Sequence, residues 1–542
     1  MAFAITQSCC ADASCVEVCP VDCIHPTPDE PDFGTTDILY IDPDSCIDCG
    51  ACADACPASA VKPVETLRGG EVVFAELNAS FYKERPDREI PKQQTHARIR
   101  PGVPAGLRIA VVGTGPAATY AARELLAASD ADVDFVDRLP AAGGLLRAGV
   151  APDHGDTKAV GDTFRWTYAH PRVRMFMNVE VGRHVSHEEL LEHHDAVVYG
   201  VGAPNDRLPG IEGQELDGVL GATQVVSWYN GDPEVAATDV QVRGSRVFVI
   251  GNGNVALDIA RLLLSDPDRL AGTEIADHAL ESIRAADVRE VVLLGRRGPE
   301  HAAFTRPELL TLPDGIELVV EDDPATAAAL DAARSEPPLS SNAAVLSDLP
   351  RVGTDWASEP APGRRLVMAF GRSVVRAEGE ARLASVTLSG PDGEVQAPAQ
   401  MLVCSTGRQG RAVPGLPFDE ARGIIPSAEG RVIDPATGEP LQGAYVVGWA
   451  KRGAKGGIGA NRACAGETVT SLLADAADGS LRTPTRKPKA FASLLSSRQP
   501  RLVRSRGVSA IEAAEQKAGR AAGRPRVKLT TIEDLLGAAG RR

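Results

Sequence analysis

At 542 residues the chain is too long for one hydrophobic core and calls for about three or four domains. Hydrophobic content of 43% and charged content of 24% are those of soluble globular protein. No segment reads as a signal peptide and no uncharged apolar run reaches about 18 residues, so a cytoplasmic protein that does not cross the membrane is expected. Charge is segregated: residues 1–66 carry twelve acids against one lysine, while residues 482–542 carry fifteen Lys/Arg against four acids. The acidic start argues against nucleic acid and suits electrostatically steered docking; the basic end reads as a solvated helical surface.

Nine of the eleven cysteines fall within the first 56 residues. An odd, crowded set without a secretory context points to a metal cofactor rather than disulfides. Residues 9–20, CCADASCVEVCP, and 46–57, CIDCGACADACP, share one plan at an offset of 37 residues. Cys9 pairs with Cys46, Cys15 with Cys52, Cys19 with Cys56 and Pro20 with Pro57, but Cys49 falls opposite Asp12. In C-x2-C-x2-C-x3-C-P, three regularly spaced thiolates wrap one face of a cubane and the fourth reaches the neighbouring cluster. A [4Fe–4S] cluster is therefore expected on Cys19, Cys46, Cys49 and Cys52, with Cys9, Cys15 and Cys56 facing a second cluster. A zinc ribbon needs only two C-x2-C pairs and leaves the remaining cysteines and both C-P ends unexplained. Cys10 and Cys23 lie outside the repeat and read as small buried side chains beside the clusters.

The module, residues 1–66, resembles bacterial two-cluster ferredoxins, the seven-iron type above all. That resemblance implies a [3Fe–4S] cluster on the three cysteines, with Asp12 at the corner of the missing iron. A carboxylate is a harder ligand for iron than thiolate. The corner is then either vacant or filled through Asp12, giving a second [4Fe–4S] cluster; as a plain turn residue, Asp12 also leaves three irons.

Residues 67–107, including KERPDREIPKQQTHARIRPGVPAG, are polar and punctuated by proline, and a linker wrapping over neighbouring surface is expected. From 108 onward, apolar runs ending in glycine loops alternate with helical patterns, which is the signature of βαβ units and parallel sheets. VVGTGPAA sets Gly113, Gly115 and Ala118 as a GxGxxA turn, where glycine lets the backbone approach a pyrophosphate at a helix N-terminus. Asp137 ends the next apolar run 24 residues after Gly113, where a carboxylate would grip a ribose hydroxyl. VIGNGNVA repeats the turn with Gly251, Gly253 and Ala256. Its following strand ends in Arg296 and Arg297, a guanidinium pair suited to a 2′-phosphate and hence to NADPH over NADH. The 45 residues from Gly251 to Arg296 are about twice the usual gap, so a helical insertion is expected between them. Residues 364–390 read as an antiparallel β insertion, and the chain from about 481 reads as helical.

LPAAGGLLRAGVAPDH (139–154), GNGNVALDIARLLL, GRRGPEHAAFT and GWAKRGAKGGIGAN (448–461) resemble the adrenodoxin-reductase type of ferredoxin–NADP(+) reductase, in its actinobacterial fusion to a ferredoxin. The likeness covers roughly residues 108–542. It implies FAD contacts at Ala117, Asp137, Leu145, Val181, Trp449, Gly456, Gly457 and Ile458, beside the first glycine turn. It implies NADPH contacts at Gly253, Asn254, Val255, Arg296, Arg297, Glu308 and again Gly456. His154 matches a histidine that the family places near the flavin, a catalytic candidate or else a structural turn residue. The family's KRGPTG segment is KRGAKG here, with Ala454 and Lys455, and Thr311 stands where a second acid is frequent. An FAD motif at both 113 and 449 implies a split α/β architecture: a two-cluster ferredoxin of α+β fold (1–66), a linker (67–107), an FAD-binding domain in two parts (108–205 and 407–480), an inserted NADPH-binding domain (206–406) and a helical extension (481–542). Both dinucleotide domains are then Rossmann-like. The function implied is electron transfer from NADPH through FAD to iron–sulfur clusters of the fused or a separate ferredoxin, feeding an oxygenase-type, cytochrome P450-like acceptor, in a monomer. A glutamate-synthase-like reductase subunit and a redox-sensing binding protein without turnover are the alternatives.

Overall fold

Offset by 37 residues, the two cysteine runs fold alike. The computed structural model describes residues 2–85, 102–336, 341–391 and 393–541. Phe3–Ile5 pairs antiparallel with Val61–Pro63, and Ile24–His25 with Tyr40–Ile41. Each cysteine run turns into a short helix, Ser14–Val18 or Ala51–Ala55. Left-handed residues recur in register: Ala11 with Asp48, Ala13 with Gly50, and Asp22 with Ser59. Each helix is stopped by its C-P cysteine in extended backbone, Cys19 at ψ 116° and Cys56 at ψ 113°. Proline disfavours the helical region for the residue before it, which is why the helix ends there and the cysteine swings out.

The module does not end at residue 66. Where a linker is expected, Val73–Lys83 forms a helix that buries Phe74, Leu77 and Phe81 in the ferredoxin core. Its buried Asn78 accepts from the Ile5 and Ile41 amides at 3.1 and 2.8 Å and donates to the Ile5 carbonyl at 2.9 Å. The Asn78 amide satisfies strand groups that would otherwise be buried without partners. Composition misled because the polar residues sit on one face of the helix. Residues 86–101 of the expected linker lie outside the described residues.

Two seven-stranded sheets follow. In the first, Val173–Met177, Asp132–Asp137, Arg108–Val112, Ala196–Tyr199 and Pro440–Val446 run parallel in that spatial order. Antiparallel Arg431–Ile433 and Ser427–Ala428 extend one edge. The second sheet is all parallel: Val219–Gly221, Leu402–Cys404, Arg246–Ile250, Glu290–Gly295, Arg365–Phe370, Glu317–Glu321 and Arg351–Val352. All its strands fall between Ala196–Tyr199 and Ser427–Ala428 in the chain, so one sheet is inserted into the other. Helices Asn254–Leu264, Pro267–Leu270 and Asp277–Ala285 occupy the long gap after Gly251. The reading of 364–390 needs correcting at its start. Arg365–Phe370 is an inner parallel strand with five of its six residues buried, and the antiparallel sheet is Ser373–Gly379, Leu383–Gly390 and Gly393–Pro398. An apolar run cannot by itself tell a buried parallel strand from an antiparallel one.

The basic extension is helical with most of its cations exposed, as expected, but one edge of it is packed. Helices Pro488–Arg498, Ser505–Ala521 and Ile532–Ala538 pack onto the first sheet, with Phe491 edge-on to Phe176 at 5.2 Å. Glu515, fully buried, takes both Arg147 nitrogens at 2.5 and 2.7 Å. Lys528 and Lys158 share the Asn230 side-chain oxygen at 3.0 and 3.1 Å, with Glu274 beside both. Burial pulls Lys158 down to about 8. Arg147 and Lys158 belong to the first dinucleotide unit and Asn230 and Glu274 to the second, so this network fastens one to the other. Among the described residues, no helix is long and apolar enough to cross a membrane.

Candidate active site and iron–sulfur module

Both glycine turns solve the same steric problem. Gly113 (φ 98°) faces the Gly200 carbonyl, and Gly251 (φ 117°) faces that of Ser405. A side chain at either would collide with the end of the neighbouring strand and would be strained by the left-handed backbone as well. Gly115 and Gly253 then open helices Pro116–Ala128 and Asn254–Leu264, whose unbonded amides and dipole favour a phosphate. Asp137 sits at its strand end with one oxygen accepting from Thr114 Oγ1 at 2.6 Å and the other from the Leu139 amide at 3.0 Å. Burial raises its pKa.

The turns open on one cavity of about 2120 Å³. Small-molecule pockets run to about 1,000 Å³, so there is room for two dinucleotides. Gly113, Gly115, Ala117, Asp137, Leu145, Val181, Trp449, Gly456, Gly457 and Ile458 line it, as do Gly251, Gly253, Asn254, Val255, His154 and Glu308. The glycine-shaped cradles, the helix N-termini and the volume fit FAD and NADPH. Trp449 Nε1 donates to the Gly456 carbonyl at 3.1 Å, which ties the two ends of the 449–458 loop together. Arg296 and Arg297 are not in the cavity wall; they stand exposed just beyond the strand Glu290–Gly295. Ala454 lines the cavity, whereas the Thr311 hydroxyl donates back to the Pro307 carbonyl at 2.9 Å.

At the centre lies a charge cluster that motif reading only half found. Arg261 donates to Glu308 at 2.5 Å, to both Asp153 oxygens at 2.8 and 3.0 Å, and pairs with Asp258 at 2.8 Å. His154 Nε2 lies 3.5 Å from Glu308 and 4.0 Å from Asp258. Three carboxylates share one guanidinium, so full ionisation would leave surplus buried negative charge. Burial and the two neighbouring carboxylates push Asp258 well above the usual carboxylate range, against the pull of Arg261. Burial and then Arg261 lower His154, which is therefore neutral near pH 7. His154, Asp258 and Glu308 could close around a cation, since their ligand atoms lie within 4.8 Å of one another, but Arg261 already supplies that positive charge. Asp258 and Arg261 were legible as a charged pair three residues apart inside the otherwise apolar helix NVALDIARLLL. Gln7 was not: it comes from the ferredoxin module, with Nε2 at 3.2 Å from Glu308 and 3.3 Å from His154 Nε2.

Among the described residues, no two of the eleven cysteines are joined by a disulfide. Cys9, Cys15 and Cys56 influence one another electrostatically with Asp12 nearby, as Cys19, Cys46, Cys49 and Cys52 do in a second group. The second group also lines a small cavity with Phe3, Val21 and Ile47. Burial pushes the Cys9 thiol up to about 12 and that of Cys52 up to about 11. Such groups ionise when a cation sits among them, so the donor sets fit iron–sulfur cores. Cys10 and Cys23 are buried, and Cys23 Sγ lies 3.5 Å from Cys19 Sγ. Asp12 is buried with its carboxylate on Ser14, accepting from the amide at 3.1 Å and from Oγ at 2.6 Å.

The first cysteine run is pressed against the flavin-side loop. The Gly459 amide donates to the Cys10 carbonyl at 2.6 Å, and a methyl group on Gly459 would overlap the Ala11 carbonyl. Arg462 donates to the Asp12 carbonyl at 2.8 Å and pairs with Glu17. Asp37 pairs with Arg306 of the second dinucleotide unit at 3.3 Å. Cys9, Cys10 and Ala11 thus form part of the same cavity wall as Gly457 and Ile458.

Residues 39–62 match the 4Fe-4S binding domain, and residues 107–294 match the pyridine nucleotide-disulphide oxidoreductase family. Over 550 residues the chain is 46% identical to a probable ferredoxin/ferredoxin–NADP reductase of Mycobacterium bovis, covering 99% of this chain and 95% of that protein. It is 43% identical over 457 residues to the NADPH-ferredoxin reductase FprA of Mycobacterium tuberculosis, covering 79% of this chain and 98% of that one. The solved structure of that FprA in complex with NADPH matches with a TM-score of 0.71 at 39% identity, over 80% of this chain and 99% of the other.

Proposed function

The chain belongs to the ferredoxin–NADP(+) reductases that carry a fused N-terminal ferredoxin, and on that premise we propose that it has ferredoxin–NADP(+) reductase activity and feeds electrons from NADPH, through its own iron–sulfur module, to an oxygenase-type acceptor. One observation carries the internal route: the loop holding Cys9 and the loop Gly456–Ile458 share a wall of the cavity and are joined at Gly459 and Cys10. FAD, when bound, supplies the conversion from hydride transfer to single-electron transfer.

The chain's own residues supply placement and electrostatics. Gly113, Gly115 and Ala117 receive the FAD pyrophosphate, Asp137 its ribose, and Leu145, Val181, Trp449 and Gly456–Ile458 the rest of the cofactor. Gly251, Gly253, Asn254 and Val255 receive NADPH, with exposed Arg296 and Arg297 gripping the 2′-phosphate at the rim. His154, Asp258, Glu308 and Gln7 orient the nicotinamide end, and Arg261 holds the carboxylates in place. Gln7, Cys9 and Phe33 of the ferredoxin module form part of the cavity wall.

The two clusters differ. A [4Fe–4S] cluster sits on Cys19, Cys46, Cys49 and Cys52. The other, on Cys9, Cys15 and Cys56, is a [3Fe–4S] cluster, because the Asp12 carboxylate is committed to Ser14. We place the domain borders near 205, 406 and 480 and take the protein as a cytoplasmic monomer. EPR of the isolated and NADPH-treated protein, with iron counted per FAD, tests this reading. An isotropic signal from oxidised [3Fe–4S] that disappears on adding NADPH is expected. Holoprotein that reduced neither its clusters nor an external acceptor would sink the proposal.

A further inference from the structure

The same repeat that makes the two cysteine runs alike makes their surroundings comparable position by position. Position ten of the first run's numbering is Cys10, buried under Gly459; its counterpart is Ile47, 58% exposed. Asp12 is buried with its carbonyl on Arg462, whereas its counterpart Cys49 is exposed; Cys15 and Cys52, which face inward in both runs, are equally buried. The reductase therefore covers one cluster site and leaves the other to solvent.

The uncovered face has a definite chemistry. Eight large hydrophobic residues are exposed among the described residues, and three of them, Val18, Val21 and Ile47, flank the second cluster's cysteines. Val21 and Ile47 border the same small cavity as Cys19, Cys46 and Cys49. Exposed Asp22, Asp44 and Asp48 rim this apolar centre, and no Lys or Arg occurs before residue 62. An apolar centre with a charged rim is the anatomy of a protein–protein contact. The molecule already shows what such acids take: its inner face docks through Glu17 on Arg462 and Asp37 on Arg306.

We infer that the face around Val21, Ile47 and Asp44 is the electron exit, and that its occupant is a basic-faced redox protein taking electrons from the second cluster site. The inference rests on the internal route proposed above and adds its direction: in at the Cys9 side, out at the Cys49 side. Each NADPH is oxidised to NADP+ with release of a proton, and its two electrons reduce two one-electron acceptors. Electrostatic complementarity at such a face sets mainly the association rate and its salt dependence.

Cytochrome c, a basic haem protein, is the probe. Full-length holoprotein carrying Asp22→Asn and Asp44→Lys keeps its fold, since Asp44 is exposed and asparagine tolerates the left-handed backbone at position 22. Expected are weaker cytochrome c binding by calorimetry and a kcat/KM for its NADPH-driven reduction lower by roughly tenfold at low ionic strength. That gap should close as salt is added, while reduction of ferricyanide, a small anionic oxidant, stays at the wild-type rate. Unchanged cytochrome c binding and reduction in the variant would overturn the exit. Wild-type protein unable to reduce either oxidant would instead remove the underlying route.

Discussion

Two halves of one repeat, with matching left-handed residues and matching helix stops, have been given opposite surroundings. The first half has an acid in place of a cysteine, is sealed by Gly459 and Arg462, and faces the dinucleotide cavity. The second keeps all its cysteines and leaves Ile47 and Cys49 exposed. The difference teaches that cysteine spacing sets the donors each run offers, while docking decides which run is covered.

Breaking the open half should have the largest effect. Cys46→Ser together with Cys52→Ser leaves two thiolates at that site and should lose the four-iron centre, with iron per FAD falling by about four atoms and the matching visible absorbance gone. Converting the first half into the second comes next: Asp12→Cys should raise iron per FAD by about one and abolish the oxidised [3Fe–4S] EPR signal. Prising the first half from the reductase should slow electron entry without removing iron. Gly459→Val puts a side chain against the Ala11 carbonyl, so NADPH-driven cluster bleaching followed by stopped flow should slow while iron per FAD stays at the wild-type value. Arg462→Ala removes a half-exposed ion pair and one carbonyl contact. It should cost about 1 kcal/mol of docking, seen as roughly fivefold faster amide exchange over residues 9–17.

The smallest effect concerns pH at the seam between module and cavity. The folded-state pKa of His154 is lowered, so the unfolded chain takes up this proton first. Stability should therefore be complete above about pH 6.5 and decline as pH falls below it. His154→Gln should flatten that slope in chemical-denaturation series run from pH 7 to 5. A slope equal to wild type would place the acid sensitivity elsewhere.

Much of this was legible in one dimension. Cysteine spacing, glycine turns and a strand-ending Asp137 are local chemistry: each motif works because neighbours in sequence are neighbours in space. The helix Val73–Lys83 was hidden because its polar residues averaged out its apolar face. Arg365–Phe370 was assigned to the wrong sheet because strand partners lie far apart in the chain. The basic extension does keep most of its cations solvated, but a charge count could not single out Lys528, buried beside Asn230.

By itself, then, the sequence determined the inventory: two cysteine runs with unequal donors, two glycine turns, and an order of units that makes one sheet interrupt the other. Tertiary structure alone decided the geometry between them. It brought Gln7 onto Glu308 across 301 residues and Gly459 onto Cys10, and it covered one cysteine run while exposing the other. The physical reason is that motifs are selected by short-range backbone sterics and ligand spacing, whereas contacts between units depend on surface complementarity that no local pattern encodes.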